Sequence, residues 1–508
     1  MGGPSARLLP LLAAACGGAL YFLGYVGFGF WPLLAVFLAP LWWSLESAPS
    51  VGAATARGAV FGLVAYAGGH LWLFRLVPVF LEGDTPFGAL LWTGYGSVFA
   101  AGFAAYGALF HAVRRRGVGL ATAAAPGWLL VEWLQPNLFP VHAGDGWVDL
   151  VPLAQAAALG GPLLLTAWVL AANLAVFETA RVAAGVRPAR RATIGVCVAV
   201  LVAAALAGQA RVAAVEARVA RAEPLRVGLV QANLGLLAKR RDADASHRQH
   251  LAQTHALLAE GPLDLVVWPE TAYARALQGP LPVAGHLVRR GFDAALLFGG
   301  TITEATDHGP VQTNAAMLVG PDGMIRDAYR KNLLIPVAEH LPLADRVPWI
   351  AARLPHAQRF RAAERVPALT LGEHRISVPI CYEAVRPEFV RRMVVEARPQ
   401  LLVTLANDAW FGDSQEPRLH LALARLRAIE HRRFLVRSTN SGISALVDPA
   451  GRVLSRTRVL SRENLRGTVA WLDGETPYDR LGDWPGPAAA VWLAAGLVLA
   501  RRRAASGA

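Results

Sequence analysis

Leu265-Val266-Val267-Trp268-Pro269-Glu270 is a run of four apolar residues that a proline stops, with a carboxylate set just beyond it. A strand this apolar has no face to give to water, so it belongs inside a layered α/β domain. Ser377-Val378-Pro379-Ile380-Cys381-Tyr382-Glu383 repeats the pattern and ends on a thiol. Working outward, similar Val-, Ile- and Leu-rich runs at 226–233, 294–303, 313–319, 401–406, 443–447 and 467–472 alternate with candidate helices at 244–260, 384–397 and 418–433. The expectation is an α/β domain across residues 212–484. Within it, 332–373 is a long connection mixing Leu333, Leu334, Ile335, Val337, Leu341, Trp349 and Ile350 with proline and charge. Loops of that length are commonly functional. This one either dips apolar residues into a membrane interface or packs on its own domain.

The flanks are different in kind. Residues 1–210 are long apolar runs separated by short loops, at about 8–24, 28–45, 58–80, 87–112, 118–135, 158–180 and 192–210, each near the ~20 residues that cross a bilayer. A last run near 486–500 follows Trp484-Pro485-Gly486. The expected organisation is a polytopic helical membrane domain of about eight spans. It comprises seven helices in 1–211, the inserted domain 212–484, and a last span with its tail in 485–508. Leu12-Ala13-Ala14-Ala15-Cys16 faintly resembles a lipoprotein cleavage site, but too few apolar residues precede it. Arg114-Arg115-Arg116, Arg181, Arg187, Arg190, Arg191 and Arg501-Arg502-Arg503 all fall on one side if the spans alternate. That side is cytoplasmic by the excess of basic residues in short loops. The inserted domain is then extracytoplasmic.

Composition agrees with a membrane protein. The chain has 508 residues, 54% hydrophobic and 17% charged, against roughly 25% charged in a soluble protein. The net charge of +13 fits cytoplasmic loops and anionic lipid. No basic stripe with interleaved aromatics suggests nucleic acid. Cys16 and Cys197 fall in apolar runs and Cys381 in the polar region, so no disulfide framework is implied.

Glu270 and Cys381 end strands, where open α/β sheets place their sites, and Lys331 opens the long connection. Only two lysines, Lys239 and Lys331, occur in the chain. A lysine kept where nearly every other base is arginine suits a role that needs a compact ammonium. A carboxylate near the thiol supplies the base that makes it nucleophilic, and an ammonium with backbone N–H groups stabilises an oxyanion. Glu270 is the candidate base, Cys381 the nucleophile, and Lys331 the oxyanion partner with the Tyr382 N–H as a second donor. Glu339 is a candidate to hold the lysine, and Glu383 to orient it. Taken singly, such residues are more commonly buried core or solvated surface. Trp410 and Phe411 read as loop-positioning residues, and Asn314 and Asn407 as groups that satisfy backbone near the site. His420, Glu430 and His431 have metal-binding side chains, but no third ligand converges on the two histidines, so no metal site is expected.

Other motifs mark the length of the inserted domain: Val230-Gln231-Ala232-Asn233, Thr313-Asn314, Pro321-Asp322-Gly323, Tyr329-Arg330-Lys331, Asn407-Asp408-Ala409-Trp410-Phe411-Gly412-Asp413-Ser414, Arg427-Ala428-Ile429-Glu430, Thr439-Asn440-Ser441-Gly442 and Thr476-Pro477-Tyr478. With these and the two strand-end stretches, the chain resembles the apolipoprotein N-acyltransferases, membrane-embedded members of the nitrilase superfamily. The resemblance implies an αββα sandwich and a Glu–Lys–Cys triad at Glu270, Lys331 and Cys381, supported by Glu339. It implies a two-step reaction: phospholipid, typically phosphatidylethanolamine, acylates the cysteine as a thioester, and the amine of a lipoprotein's diacylglyceryl-cysteine then accepts the chain. It implies no cofactor, and a monomer is expected. The chain departs from the family pattern at Arg330, at Pro336-Val337-Ala338-Glu339-His340-Leu341-Pro342 and at Leu419. Rival readings are a membrane-tethered amidase or nitrilase with water as acceptor, a paralogue with another donor or acceptor, and a lipid-binding module without chemistry.

Overall fold

The computed structural model describes residues 4–76, 84–186, 190–235, 242–307, 309–336, 338–340 and 360–506. Lys239, Arg187, Val337, Leu341, Trp349 and Ile350 lie outside the described residues. The chain forms two compact units. One comprises Met1–Trp72, Ala89–Val212 and Arg480–Ala508, and the other Leu73–Gly88 and Ala213–Asp479.

The first unit is helical. Its helices are α1 (Pro4–Gly24), α2 (Leu38–Glu46), α3 (Val51–Gly69), α4 (Thr85–Arg114), α5 (Leu120–Leu134), α6 (Ala157–Ala183), α7 (Arg191–Val219) and α11 (Pro485–Ala505), with α4 and α7 each crossing the boundary between units. Four of these, α3, α4, α6 and α7, are long and apolar enough to cross a membrane. The Ser50 side chain caps α3 by accepting from the Ala53 N–H, which satisfies one of the helix's orphan donors. The expected run 28–45 is not one helix: a 3-10 turn, Trp31–Ala35, precedes α2, and Gly27 and Gly29 just before it adopt positive φ. Likewise α3 ends at Gly69, well short of the expected residue 80, and a 3-10 turn Leu71–Leu76 follows. Tyr21, Phe37, Phe61, Phe103 and Trp128 pack a buried aromatic cluster with ring centroids 5.0–6.3 Å apart. Gly58 lets α3 approach α4 there, since a Cβ would strike the Phe103 carbonyl. Small residues at such crossings are the usual means of close helix contact in lipid.

The second unit is a four-layer sandwich. One sheet has the strand order β14-β1-β2-β5-β6-β7-β4, with β3 paired to β5. These strands are β1 (Pro224–Gln231), β2 (Leu265–Val267), β3 (Tyr273–Gln278), β4 (Val283–Ala284), β5 (Ala295–Thr306), β6 (Gly309–Val319), β7 (Met324–Arg330) and β14 (Glu463–Ala470). The other sheet runs β13-β12-β11-β10-β9-β8, from β8 (Leu369–Leu371), β9 (His374–Ser377), β10 (Leu401–Ala406), β11 (Leu435–Thr439), β12 (Ala445–Val447) and β13 (Val453–Arg456). Successive side chains of a strand face opposite ways, and both faces here are covered. Leu265 and Val267 enter the core between the sheets, whereas Val266 and Trp268 face the layer of helix α8 (Ala243–Ala259). In β10, Leu401, Val403 and Leu405 point to the sheet interface and Leu402 to helices α9 (Pro387–Ala397) and α10 (Glu416–His431). Truncating Leu265 or Leu405 to alanine costs about 2–5 kcal/mol. The α/β layering expected from the apolar strands is therefore present, in the αββα form that the resemblance implies. Parallel pairing of β1, β2 and β5, and of β9, β10 and β11, gathers several strand ends at one edge of each sheet.

Candidate active site

Glu270 follows β2 after Trp268 and Pro269, and the close approach of β5 beside it depends on a missing side chain. A Cβ on Gly299 would lie 2.6 Å from the Glu270 Cα. Lys331 follows the last residue of β7, and its N–H donates to the Asn314 carbonyl of β6 at 2.8 Å. The Lys331 Nζ donates to Glu339 Oε1 at 2.8 Å and to Glu270 Oε1 at 3.3 Å. The Asn314 Nδ2 donates to the same two oxygens, at 2.7 Å to Glu270 and 3.1 Å to Glu339. Glu339 is fixed in turn, because its Oε2 accepts the Ile335 N–H at 3.0 Å. Lys331 is 1% exposed. Burial opposes its charge, but Glu270 and Glu339 outweigh that and hold the ammonium protonated above its ordinary range.

Cys381 comes from the second sheet. Ile380 bridges Leu405 in parallel, so the thiol residue begins a one-turn 3-10 helix, Cys381–Val385, at a strand end next to that of β10. Its φ is +51°, a left-handed conformation that costs a non-glycine residue roughly 1–2 kcal/mol. Burial, then the charge of Glu270, push its thiol well above the usual range, with Lys331 opposing. The resting sulfur is thus a neutral thiol that needs a base. The structure brings Glu270, Lys331 and Glu339 into hydrogen-bonded contact and sets Cys381 within their field.

Glu383 does something other than orient the lysine directly. Its Oε1 accepts the Tyr329 O–H at 2.8 Å and the N–H groups of Asn332 and Leu333 at 2.6 and 3.0 Å, and its Oε2 accepts the Ile380 N–H at 2.8 Å. One carboxylate so ties the residues flanking Lys331 to the residue preceding Cys381. Burial lifts its pKa to about 7, with Lys331 and the backbone donors resisting. The Tyr382 ring lies against Arg386, whose NH1 donates to its hydroxyl at 3.2 Å.

Asn314 departs from its expected backbone role: its side chain holds both site carboxylates. Asn407 accepts from the Asn440 Nδ2 at 3.1 Å. Trp410 closes the short 3-10 turn Asp408–Trp410, with Phe411 as its cap. His420, Glu430 and His431 do not converge. They bond Asp408 at 3.0 Å, Arg427 at 2.5 Å and Asp479 at 2.6 Å respectively. A different trio, Cys381, Asp408 and His420, has side-chain atoms within 4.8 Å of one another. Asp408 is already engaged by His420 and by Arg437, whose NH2 donates at 2.9 Å.

Residues 226–465 match the carbon-nitrogen hydrolase family, and residues 17–175 match the apolipoprotein N-acyltransferase N-terminal domain. An apolipoprotein N-acyltransferase of Azotobacter vinelandii is 34% identical over 97% of this chain and 95% of its own length. The chain belongs to the apolipoprotein N-acyltransferase family. Proteins of the same name from Geobacter metallireducens and Pseudomonas aeruginosa are each 30% identical, over 95% and 93% of this chain and 94% and 92% of theirs. Among solved structures, Nit3 of Saccharomyces cerevisiae, a member of branch 10 of the nitrilase superfamily, is 18% identical over 49% of this chain and 90% of that one, with a TM-score of 0.39. Glu270, Lys331, Glu339 and Cys381 all lie within the hydrolase-family match.

Proposed function

We propose that this enzyme is an N-acyltransferase that moves a fatty acyl chain from a membrane phospholipid, through a thioester on Cys381, to the N-terminal amine of a lipoprotein's diacylglyceryl-cysteine. The observation that carries the reading is the buried Glu270–Lys331–Glu339 cluster set beside a thiol on a left-handed turn. In the first step Glu270 takes the thiol proton and the sulfur attacks the ester carbonyl. The Lys331 ammonium and the Tyr382 N–H face the developing oxyanion, each such donor being worth about 10²–10³ in rate. The C–O bond breaks, the lysophospholipid oxygen takes the proton back from Glu270, and the thioester remains. In the second step the amine attacks the thioester, Glu270 accepts the proton the amine loses, and sulfur leaves and is reprotonated. A thioester keeps the acyl group active enough for a neutral amine.

Apolar helices in the N-terminal half supply the membrane setting. The finer arrangement we propose is about eight spans, with 212–484 inserted between the seventh and eighth on the periplasmic side of an inner membrane. The C-terminus is cytoplasmic, phosphatidylethanolamine is the donor, and the enzyme acts as a monomer. The test uses purified protein in vesicles of phosphatidylethanolamine with one labelled chain, plus a synthetic diacylglyceryl-cysteinyl peptide. Label on the peptide amine, matched by lysophospholipid, is the expected result. Label released only as free fatty acid would make the enzyme a hydrolase and sink the transferase reading.

A further inference from the structure

The mechanism above leaves a buried pair on the sheet-two side of Cys381 unused. Asp408 follows β10, whose end lies next to Ile380, and His420 projects from α10 between the two. The His420 Nδ1 is 3.0 Å from Asp408 Oδ1, and its Nε2 is 3.2 Å from the Cys381 carbonyl oxygen. Both neighbours are acceptors. A neutral imidazole has one donor and one acceptor nitrogen, so only the doubly protonated ring satisfies both contacts. The surrounding charges fit. Asp408 is held ionised below the usual carboxylate range, burial notwithstanding, by His420 and by Arg437 from β11. Glu416, on the same helix with Oε1 3.6 Å from Nδ1, is pushed well up by burial and by Asp408, with Arg437 opposing. Gly442 makes room for this carboxylate, because a Cβ there would overlap Asp408 Oδ2. The Asp408 charge alone pushes the Cys381 thiol up, and an imidazolium offsets it there, because the Cys381 Sγ, an Asp408 oxygen and a His420 ring nitrogen all lie within 4.8 Å of one another.

We propose that His420 stands as an imidazolium clamped between Asp408 and the Cys381 carbonyl, a positioning residue that pins the left-handed turn of Cys381 and stabilises its thiolate. The inference rests on the reading of Cys381 as the nucleophile and adds a second cation near it. It leaves Glu270 as the base, because an imidazolium with both protons engaged accepts none. A cation beside a cysteine lowers the pH at which the thiolate forms.

The experiment is the pH profile of Cys381 labelling by methyl methanethiosulfonate, read by peptide mass spectrometry on the full-length protein in detergent, with thioester formation from phosphatidylethanolamine measured alongside. His420→Gln keeps a donor for the carbonyl and removes the charge. The expected result is a labelling midpoint about one pH unit higher and a rate near neutral pH about ten-fold lower. The rate constant of thioester formation falls, and the apparent KM for lipid does not. A folded His420→Gln protein with the wild-type midpoint would overturn the proposal. If His420→Gln and His420→Asn both fail to fold, the ring ¹⁵N shifts of wild-type His420 at pH 7 decide: two protonated nitrogens support the clamp, and a neutral tautomer overturns it. Labelling needs no lipid, so a wild-type protein that labels as expected but forms no thioester would fail the acyl-transfer reading alone.

Discussion

Each unit buries a glutamate, and the two carboxylates meet opposite surroundings. Glu132, on α5, accepts from three neutral donors: Trp128 Nε1 at 2.7 Å, the Ala143 N–H at 2.9 Å and Thr166 Oγ1 at 2.8 Å. Those bonds tie α5 to the turn Ala143–Trp147 and to α6. Glu270 instead shares its Oε1 between Asn314 and the Lys331 ammonium and raises the pKa of a neighbouring thiol. Burial of a carboxylate is therefore no mark of catalysis. An ionisable residue in an apolar segment is by default a functional candidate, and the bonds of Glu132 give it a structural task, joining α5, α6 and the turn between them. A lysine ammonium hydrogen-bonded to it and a thiol within its field are what distinguish Glu270.

The comparison breaks if the two sites respond alike to substitution. Cys381→Ala should abolish both thioester and transfer, and Lys331→Arg should lose about 10² in rate or more, since a planar fork cannot replace a point charge bonded to two carboxylates. Near-normal transfer by the Lys331→Arg protein would remove the lysine from the oxyanion. Asn314→Ala should cost less, roughly ten- to a hundred-fold in kcat/KM, because the lysine still holds both carboxylates; steady-state kinetics on the vesicle assay measures it. Glu132→Ala should destabilise the helical unit by about 1–3 kcal/mol for each donor left unpaired, seen as a lower Tm in detergent. The fraction that remains folded should transfer acyl chains at the normal rate. Glu132→Gln, which still accepts from these donors, should cost much less than Ala.

The smallest expected effect concerns Glu383. Its carboxyl titrates near pH 7 in the fold against about 4.3 when unfolded. A raised pKa stabilises the fold where the group is protonated, so this contribution is complete below about pH 4 and fades as pH rises through about 7. Thermal melts from pH 5 to 8 should slope downward from this group, and Glu383→Gln should flatten that slope. An unchanged slope would mean the group does not titrate there.

Much of this was legible in the chain because apolar strands and their terminal residues are local features. β2 and β10 announce themselves by continuous Val and Leu, and Glu270 and Cys381 sit one step past such runs. β11 does not stand out because Arg437 interrupts it, a buried charge met by Asp408, 29 residues away, and by the Ile443 carbonyl. The role of Asn314 is not local, since its partners are 44 and 25 residues distant in sequence. His420 shares a helix with Glu430 and His431, whereas its partners come from two other segments. The run 28–45 read as one span because hydrophobicity alone does not register the glycine-permitted turn ahead of Trp31. Long-range polar pairing and backbone conformation are what a pattern of apolar residues leaves out.

The most direct test of the central claim is the intact mass of the protein after incubation with phosphatidylethanolamine and no acceptor. The account predicts a gain of one acyl chain that hydroxylamine removes and that the Cys381→Ala protein never acquires. A folded wild-type protein that releases lysophospholipid without that gain, or that carries the gain with Cys381 replaced, would contradict it.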